Sequence, residues 1–505
     1  MTMQQQRIYG AARIDYQDPQ WNASNSSADA EIYSSLVRLR SLAWQEYQDM
    51  EWIRRGVDSI IDEVIGTGVP MKPTVRRSAR GVRRGGSPMD ERSNELIHQA
   101  WCYFTKKTRF SATGKESATQ AARVLLRSVL VGGEGIARLV PMAFGDSRVQ
   151  MGIELIEPAL LDETKNDIQT DGSIWVMGVL LDKWGRPRKY SFRSRQRLDV
   201  FSSMQGTYGP NIEIDASEII HLFVGERARQ TRGITSLSTV IKRARNLNEY
   251  SMNELIRQRA TSSMNGFLTW DQDADIPQET LARINAQREW DMTSNSWREL
   301  PPGQTPVPPP MSTADPTYAA YMRQGGQTVA SGMGASVESM TSDFTATNWS
   351  RSKIAQVMRQ PFVQNLQQFM CEDWYQTVYD AWLPAAVAAG LPLPGFAMAP
   401  ERFYQVKWCP PQPPMLDPPK ELKAKADAVA SMIYTLGDVL VQLHPGRTIE
   451  EHLDMIQHER QEMEQRGLPL PGSAPAPAES PPEEGNGDEQ QDGEDAGEVE
   501  AAGEE

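Results

Sequence analysis

From Asp29 onward, apolar positions return every three or four residues, at Ile32, Leu36, Leu39, Leu42 and Ala43, then at Ile53, Val57, Ile60, Ile61 and Val64. That spacing lines one face of an α-helix. The run "GTGVP" at 66–70 ends the pattern, because glycine and proline punctuate helices. Helical spacing resumes over 91–130. The next hundred residues change period: "GIARLVPM", "QMGIELIEP", "IWVMGVLLD" and "RKYSFRSR" are short runs rich in β-branched and aromatic residues, the last two joined by the hairpin-type connection "KWGRP". A long helix is expected at about 236–264, with Leu237, Val240, Ile241, Ala244, Leu247, Leu255, Ile256 and Ala260 at helical spacing.

Residues 265–311 read as a small insert: a strand, a short helix starting near Pro277, and a proline-rich extended return. A second short helix, about 315–331, ends in the glycine-rich "GGQTVASGMGAS". Past the polar stretch 334–349, Ile354, Val357, Met358, Phe362, Leu366, Phe369, Met370, Tyr375, Val378 and Trp382 mark a long amphipathic helix, with Ser350 as a plausible N-cap and a kink expected at Pro361. A proline-rich run leads to two further helices, about 419–443 and 447–466. The alternation predicts an α+β fold, mainly helical.

Composition adds the ends. A chain of 505 residues with 39% hydrophobic content can bury real cores in roughly two to four domains. Residues 1–28 are a polar arm poor in apolar side chains, and 468–505 have the proline, alanine, glycine and acid composition of a disordered tail. The net charge of −14 comes largely from that tail: residues 471–505 hold twelve acids and no base, leaving 54 acids against 52 bases elsewhere. A near-neutral body lacks the basic face of a sequence-specific DNA reader. Cys102, Cys371 and Cys409 are too far apart in the chain to suggest a zinc knuckle, and no window approaches the ~18 apolar residues of a membrane span.

Catalytic chemistry finds little support. The nearest approach to a phosphate-binding P-loop, "RFSATGKES", has Arg109 where the first glycine belongs and Glu116 where Ser or Thr should follow Lys115. The five histidines include no helical zinc pair, and "VGGEGIARL" at 131–139 fits a tight bend into a strand better than a dinucleotide loop. No catalytic or metal residue and no cofactor is expected. Three features could touch other macromolecules. The stretch "KPTVRRSARGVRRGG" is either a solvated loop or a phosphate or acidic-partner contact. The long helix has a basic face, Lys242, Arg243, Arg245, Arg257 and Arg259, open to DNA contact or to ion pairing with an adjacent subunit. Trp290 and Trp297 in the insert suit either an interface or that module's own core.

The order of parts carries more than any one of them. "VIGTGV", "LIEPALLD" followed by "GVLLDKWGRPRKYSFR", "EIIHLFVGERARQTRGITSL", "YMRQGGQTVASGMGASVESMTSDFTATNWSRSK" and "WCPPQPPMLDPPKELKAKADA" occur in sequence over residues 60–430. In this the chain resembles the portal proteins of tailed bacteriophages, lambda-type family. The resemblance implies a portal-type architecture assembled as a ring of about twelve subunits. Its parts would be a flexible arm (1–28), a wing (29–235), a stem helix (236–264), a clip (265–311), a second stem helix (312–333), a channel loop (334–349), a kinked helix returning through the wing (350–414), a crown (415–467) and a disordered acidic tail (468–505). Double-stranded DNA would pass non-specifically through the channel, driven by a separate ATP-dependent terminase and later ejected. The major capsid protein and a head–tail connector would be further partners, in the virion at the capsid portal vertex after assembly in the host cytoplasm, with no membrane.

Within that resemblance, Met340, Thr341, Asp343, Thr345, Thr347 and Asn348 form the channel loop, with Phe344 and Trp349 anchoring its ends. Lys242, Arg243, Arg245, Arg257 and Arg259 form the stem's basic face, and Trp290 and Trp297 are clip-interface candidates. The alternatives are a virion adaptor or scaffold without a channel, and a packaging-associated enzyme, against which the missing P-loop argues.

Overall fold

The computed structural model describes residues 26–77, 90–194, 210–263, 267–270, 278–279, 304–307, 317–344, 349–413, 415, 417–443 and 449–467. The chain divides into two compact units, Met1–Gly446 and Arg447–Glu505. In the second, the described structure is one helix, Ile449–Gln465, and the turn after it.

The first unit opens with α1 (Ala28–Asp49), capped by the Ser27 hydroxyl, and α2 (Glu51–Val64). One extended residue, Met50, separates them, so the two stretches of helical spacing are two helices. Ile53, Val57, Ile60, Ile61 and Val64 of α2 are almost wholly buried, as their spacing requires. After β1 (Met71–Pro73) come α3 (Glu91–Phe104), α4 (Lys107–Phe110) and α5 (Ala118–Arg127). The last begins with a capping box between Ser117 and Gln120 and runs into a π-helical turn, Ser128–Gly132.

Gly133 then turns the chain with φ 90°, where an added Cβ would lie 2.7 Å from the Ile234 carbonyl carbon. This is the bend expected of "VGGEG", and it launches β2 (Gly135–Val140). The strands β3 (Gly152–Ile156), β4 (Asp167–Ile168), β5 (Ile174–Val176), β6 (Val179–Leu181), β7 (Pro187–Phe192), β8 (Ile212–Asp215) and β9 (Ile219–Leu222) complete two antiparallel sheets. One has order β3-β2-β9 and the other β4-β5-β6-β7-β8. The run "IWVMGVLLD" is two strands, not one. The chain reverses at Met177 and Gly178, both at positive φ, and only glycine fits at 178, where a Cβ would lie 2.6 Å from the Asp162 carbonyl oxygen.

Leu237 and Val240 are buried in a turn, and Ile241, Ala244 and Leu247 at the start of α6 (Ile241–Ser263), so the helix expected from about 236 begins at Ile241. Of the insert, the described strands β10 (Phe267–Trp270) and β11 (Gln304–Val307) pair antiparallel, so the expected extended return closes a ladder on the outgoing strand. Then α7 (Tyr318–Met333) packs antiparallel on α6. Ser251 Oγ meets Tyr318 Oη at 3.0 Å near one end, and Thr239 Oγ1 donates to the Gly332 carbonyl at 3.4 Å near the other. Glycine makes this approach possible. A Cβ on Gly325 would come within 2.5 Å of Leu247, and one on Gly332 within 2.3 Å of Val240.

The stretch 334–349, expected as one polar loop, contains a short helix, α8 (Val337–Thr341), capped by Ser336. Ser350 is not an N-cap, since α9 (Trp349–Phe369) already includes it. That helix continues through Pro361, and the departure from α geometry falls further along in a π-helical segment, Met370–Gln376, before α10 (Thr377–Ala388). Trp374, Tyr379 and Trp382 from this run meet Trp101, Phe104 and Phe110 in an aromatic core. β12 (Val406–Trp408) pairs back on β1.

The helix expected over 419–443 is split into α11 (Pro418–Ala430) and α12 (Leu436–Leu443). Met432 at φ 55° breaks it. The Thr435 hydroxyl and Asp438 carboxylate then cap the restart, with Thr435 donating to Asp438 at 2.7 Å and Asp438 N–H donating to Thr435 at 3.2 Å. In the second unit, Ile449–Gln465 forms α13. The architecture is α+β and mainly helical.

Candidate functional site

The expected basic face of α6 is present as exposed side chains but is not one electrostatic surface. Arg245 lies 3.0 Å from Glu249 and 3.9 Å from Glu46 of α1, whose carboxyl is raised by burial and lowered in part by that arginine. Arg257 pairs with Glu254 at 2.7 Å, and Arg259 is exposed. Lys242 and Arg243 are exposed with no ion pair among the described residues. The Arg245–Glu249 and Arg257–Glu254 pairs arise from spacings of four and three residues on one helix, which put the charges on adjacent turns.

The residues expected in the channel loop do not act alike. Met340 is 3% exposed and belongs to the core, where α8 turns its side chain inward, so it is not a channel-facing residue. Thr341 donates its hydroxyl to the Val337 carbonyl at 2.8 Å, and Asp343 pairs with Arg323 of α7 at 3.2 Å, tying the segment to the preceding helix. Ser342 holds φ 55° between them. Phe344 is 65% exposed and does not anchor the loop; Met340 has taken the buried place, and the turn at Ser342 sends Phe344 outward. Thr345, Thr347 and Asn348 lie outside the described residues, as do Trp290 and Trp297.

Other sequence candidates resolve into structure. In "RFSATGKES" the Glu116 carboxylate accepts from the Ser111 and Thr113 hydroxyls at 2.7 and 2.5 Å. Those bonds hold its pKa below the usual value and put an anion where a phosphate loop would need to receive one. Arg109 is engaged by Asp146 at 2.6 and 2.7 Å and lies over the Tyr103 ring. Within "KPTVRRSARGVRRGG", Arg402 donates to the Arg76 carbonyl; Arg80, Arg83 and Arg84 are outside the described residues. Among the described residues, no group of His, Cys, Asp and Glu could hold a metal, and no helix is long and apolar enough to cross a membrane.

Sequence reasoning missed the most strongly coupled charges. Glu134, directly after the Gly133 bend, is fully buried and accepts from Arg232 Nε at 2.6 Å, Arg232 Nη2 at 2.8 Å, Arg40 Nη2 at 2.6 Å and Gly233 N–H at 2.9 Å. His221 Nε2 stands 3.4 Å away. Burial alone would raise the Glu134 carboxyl, but the Arg232 and Arg40 charges and the hydrogen bonds hold it well below the usual range. The available signal was an acid set between two apolar runs, in "VLVGGEGIARL". The cluster ties α1, β2 and the segment before α6 together.

Several amphipathic helices keep apolar residues in water. On α9, Ile354 is 57%, Val357 55% and Met358 78% exposed; they share a stripe with the exposed Phe362 that carries no charge. Met252, Leu255 and Ile256 do the same on α6. Apolar stripes of this kind are the surfaces through which chains associate. A family model for phage portal proteins of the lambda family matches residues 16–367, and the chain belongs to that family. A relative named "Probable portal protein", from Halomonas phage phiHAP-1, is 22% identical over 472 residues, covering 92% of this chain and 88% of the relative.

Two solved structures are also similar. A chain in the virion of a native gene transfer agent particle has a TM-score of 0.43 at 13% identity, covering 86% of this chain and 94% of that one. An HK97-family phage portal protein from Corynebacterium diphtheriae has a TM-score of 0.25 at 13% identity, covering 66% and 86%.

Proposed function

We propose that this protein is the subunit of a ring, of about twelve copies, that forms the DNA channel at one capsid vertex of a phage. The genome would enter under the action of a separate ATP-driven terminase and leave by the same route, with the ring also joining head to tail. The observation that carries the reading is the uncharged stripe Ile354, Val357 and Met358 on α9, exposed in the single chain of a family whose members are portals. Such exposure is unfavourable for a lone chain, whereas neighbours around an axis remove it from water.

In this reading residues 29–235 and 350–414 are the wing, α6 and α7 the stem, 265–311 the clip and 415–467 the crown. Residues 342–349 are the part of the loop that enters the channel, with Asp343 held by Arg323 at its base. The chain itself hydrolyses no nucleotide. Its partners are duplex DNA, the terminase, the major capsid protein and a head–tail connector, and it resides in the virion after cytoplasmic assembly.

Negative-stain images and mass photometry of the purified chain test this directly. Rings with an axial hole are expected, without ATPase activity. A monomer at every concentration and salt, or nucleotide turnover by the pure chain, overturns the reading.

A further inference from the structure

The β1–β12 ladder joins distant parts of the chain, 331 residues apart at Thr74 and Gln405. Thr74 N–H donates to the Gln405 carbonyl at one end and Cys409 N–H to the Pro70 carbonyl at the other, each at 3.0 Å. Bonded partners alternate along an antiparallel pair, so Lys72 and Lys407 form the hydrogen-bonded pair between those contacts. The main-chain groups of Val406 and Trp408 therefore point away from β1. No strand pairs there, and among the described residues those groups make no hydrogen bond on that side.

The opposite edge of the ladder is closed. Val75 N–H donates to the Asn94 side chain at 2.9 Å and the Val75 carbonyl accepts from Asp90 N–H at 2.9 Å, so the start of α3 covers β1. The open strand is held in place from below. Trp408 packs on Trp101 and Tyr375 at centroid distances of 5.8 and 5.2 Å, and its Nε1 donates to Gln376 at 2.9 Å. A fixed, unpaired strand edge is a template for another strand.

The side chains over this edge are basic. Lys72 and Lys407 stand directly opposite each other on the face that also carries Thr74 and Gln405, and Lys407 is exposed. Like charges so placed destabilise a ladder unless an anion joins them. Arg76 and Arg402 extend the cluster, with the Arg402 guanidinium fixed on the Arg76 carbonyl. Among the described residues, Arg76, Arg77, Arg402 and Lys407 make no ion pair. The basic stretch that begins at Lys72 thus gains two cations from the far end of the chain.

We propose that the free edge of β12 takes up an extended acidic peptide of a partner protein as a third strand. Val406 and Trp408 then exchange main-chain hydrogen bonds with the peptide, and the peptide residue facing Lys407 sits in a non-hydrogen-bonded position, where side chains come closest. A carboxylate there meets Lys407, with Lys72 one strand further on. DNA is the poorer occupant, because its phosphodiester backbone offers acceptors only and leaves the Val406 and Trp408 carbonyls without a donor. The proposal does not depend on the channel reading above.

The test titrates the purified full-length protein with a labelled peptide of alternating Glu and Val, read by fluorescence anisotropy. Binding is expected at low salt and weakens as salt rises. Facing Glu to Lys407 directs the Val amides at β12, so N-methylation of the Val residues is expected to abolish binding and N-methylation of the Glu residues to leave it. Val406→Pro removes an outward donor without breaking the ladder to β1 and is expected to abolish binding with the melting midpoint kept. Lys407→Glu is expected to weaken binding several-fold, while Arg188→Glu on the five-stranded sheet matches wild type.

Equal binding of the Val-methylated peptide overturns the proposal, as does wild-type affinity in Lys407→Glu or the absence of peptide binding at the lowest salt. A labelled random duplex that binds in place of the peptide, and loses affinity in Lys407→Glu, also overturns it and assigns the cluster to nucleic acid. Should Val406→Pro lower the melting midpoint, the two methylated peptides decide the matter on the wild-type protein.

Discussion

The charges around Glu134 and those along α6 are built from the same residue types and behave oppositely. Glu134 and Arg232 have no exposed side-chain surface, and every oxygen of the carboxylate is met by guanidinium or backbone donors. Arg245 and Glu249 are both more than half exposed, so water and salt can replace either partner. Burial turns a charge into a structural obligation, because leaving it unpaired costs its full desolvation. Exposure leaves a charge free to meet something outside the chain.

The largest effect should follow from breaking the buried set. Glu134→Gln removes the buried carboxylate that Arg40 and Arg232 share and is expected to lower stability by about 3–5 kcal/mol, read as a shifted denaturant midpoint. The same residue sets an acid limit. Its folded pKa is depressed, so its contribution is present above the ordinary carboxylate range and lost as pH falls through the folded value. Wild type should therefore lose stability relative to Glu134→Gln as pH drops from the ordinary carboxylate range downward, with the two curves converging.

Met358→Asp, on the uncharged α9 stripe, should leave the single chain folded but abolish rings in mass photometry, since it puts a charge where a neighbour must dry the surface. Gly332→Val should cost about 1–3 kcal/mol by forcing α7 off Val240, seen as a lower melting midpoint. The smallest effect belongs to the exposed pair. Arg245→Ala should change stability by less than about 1 kcal/mol, and a larger loss would mean that the contrast with Glu134 is wrong.

Sequence pattern was a good guide wherever one local period decided the outcome. The buried stripe of α2, the bend at Gly133 and the extended return of the insert all follow from spacing and backbone permission. It failed where two local signals competed. Thr435 and Asp438 form a capping box inside a run whose apolar spacing alone reads as one helix, and Met177 and Gly178 reverse a run that reads as one strand. The candidate site was legible as residue types but not as surfaces. Five basic residues on α6 look equivalent in sequence, yet Arg245 faces Glu46 from another helix while Arg243 opens onto a groove shared with α7.

The sequence by itself determined the helical and strand periods, the neutral body with its acidic tail, and the order of segments that places the chain among lambda-family portals. Only the tertiary structure decided which charges are obliged to pair and which are open. Local spacing places a side chain on its own helix, whereas the distance to a partner more than ninety residues away, as between Arg40 and Glu134 or Arg232 and Glu134, is set by packing of elements that no local period encodes.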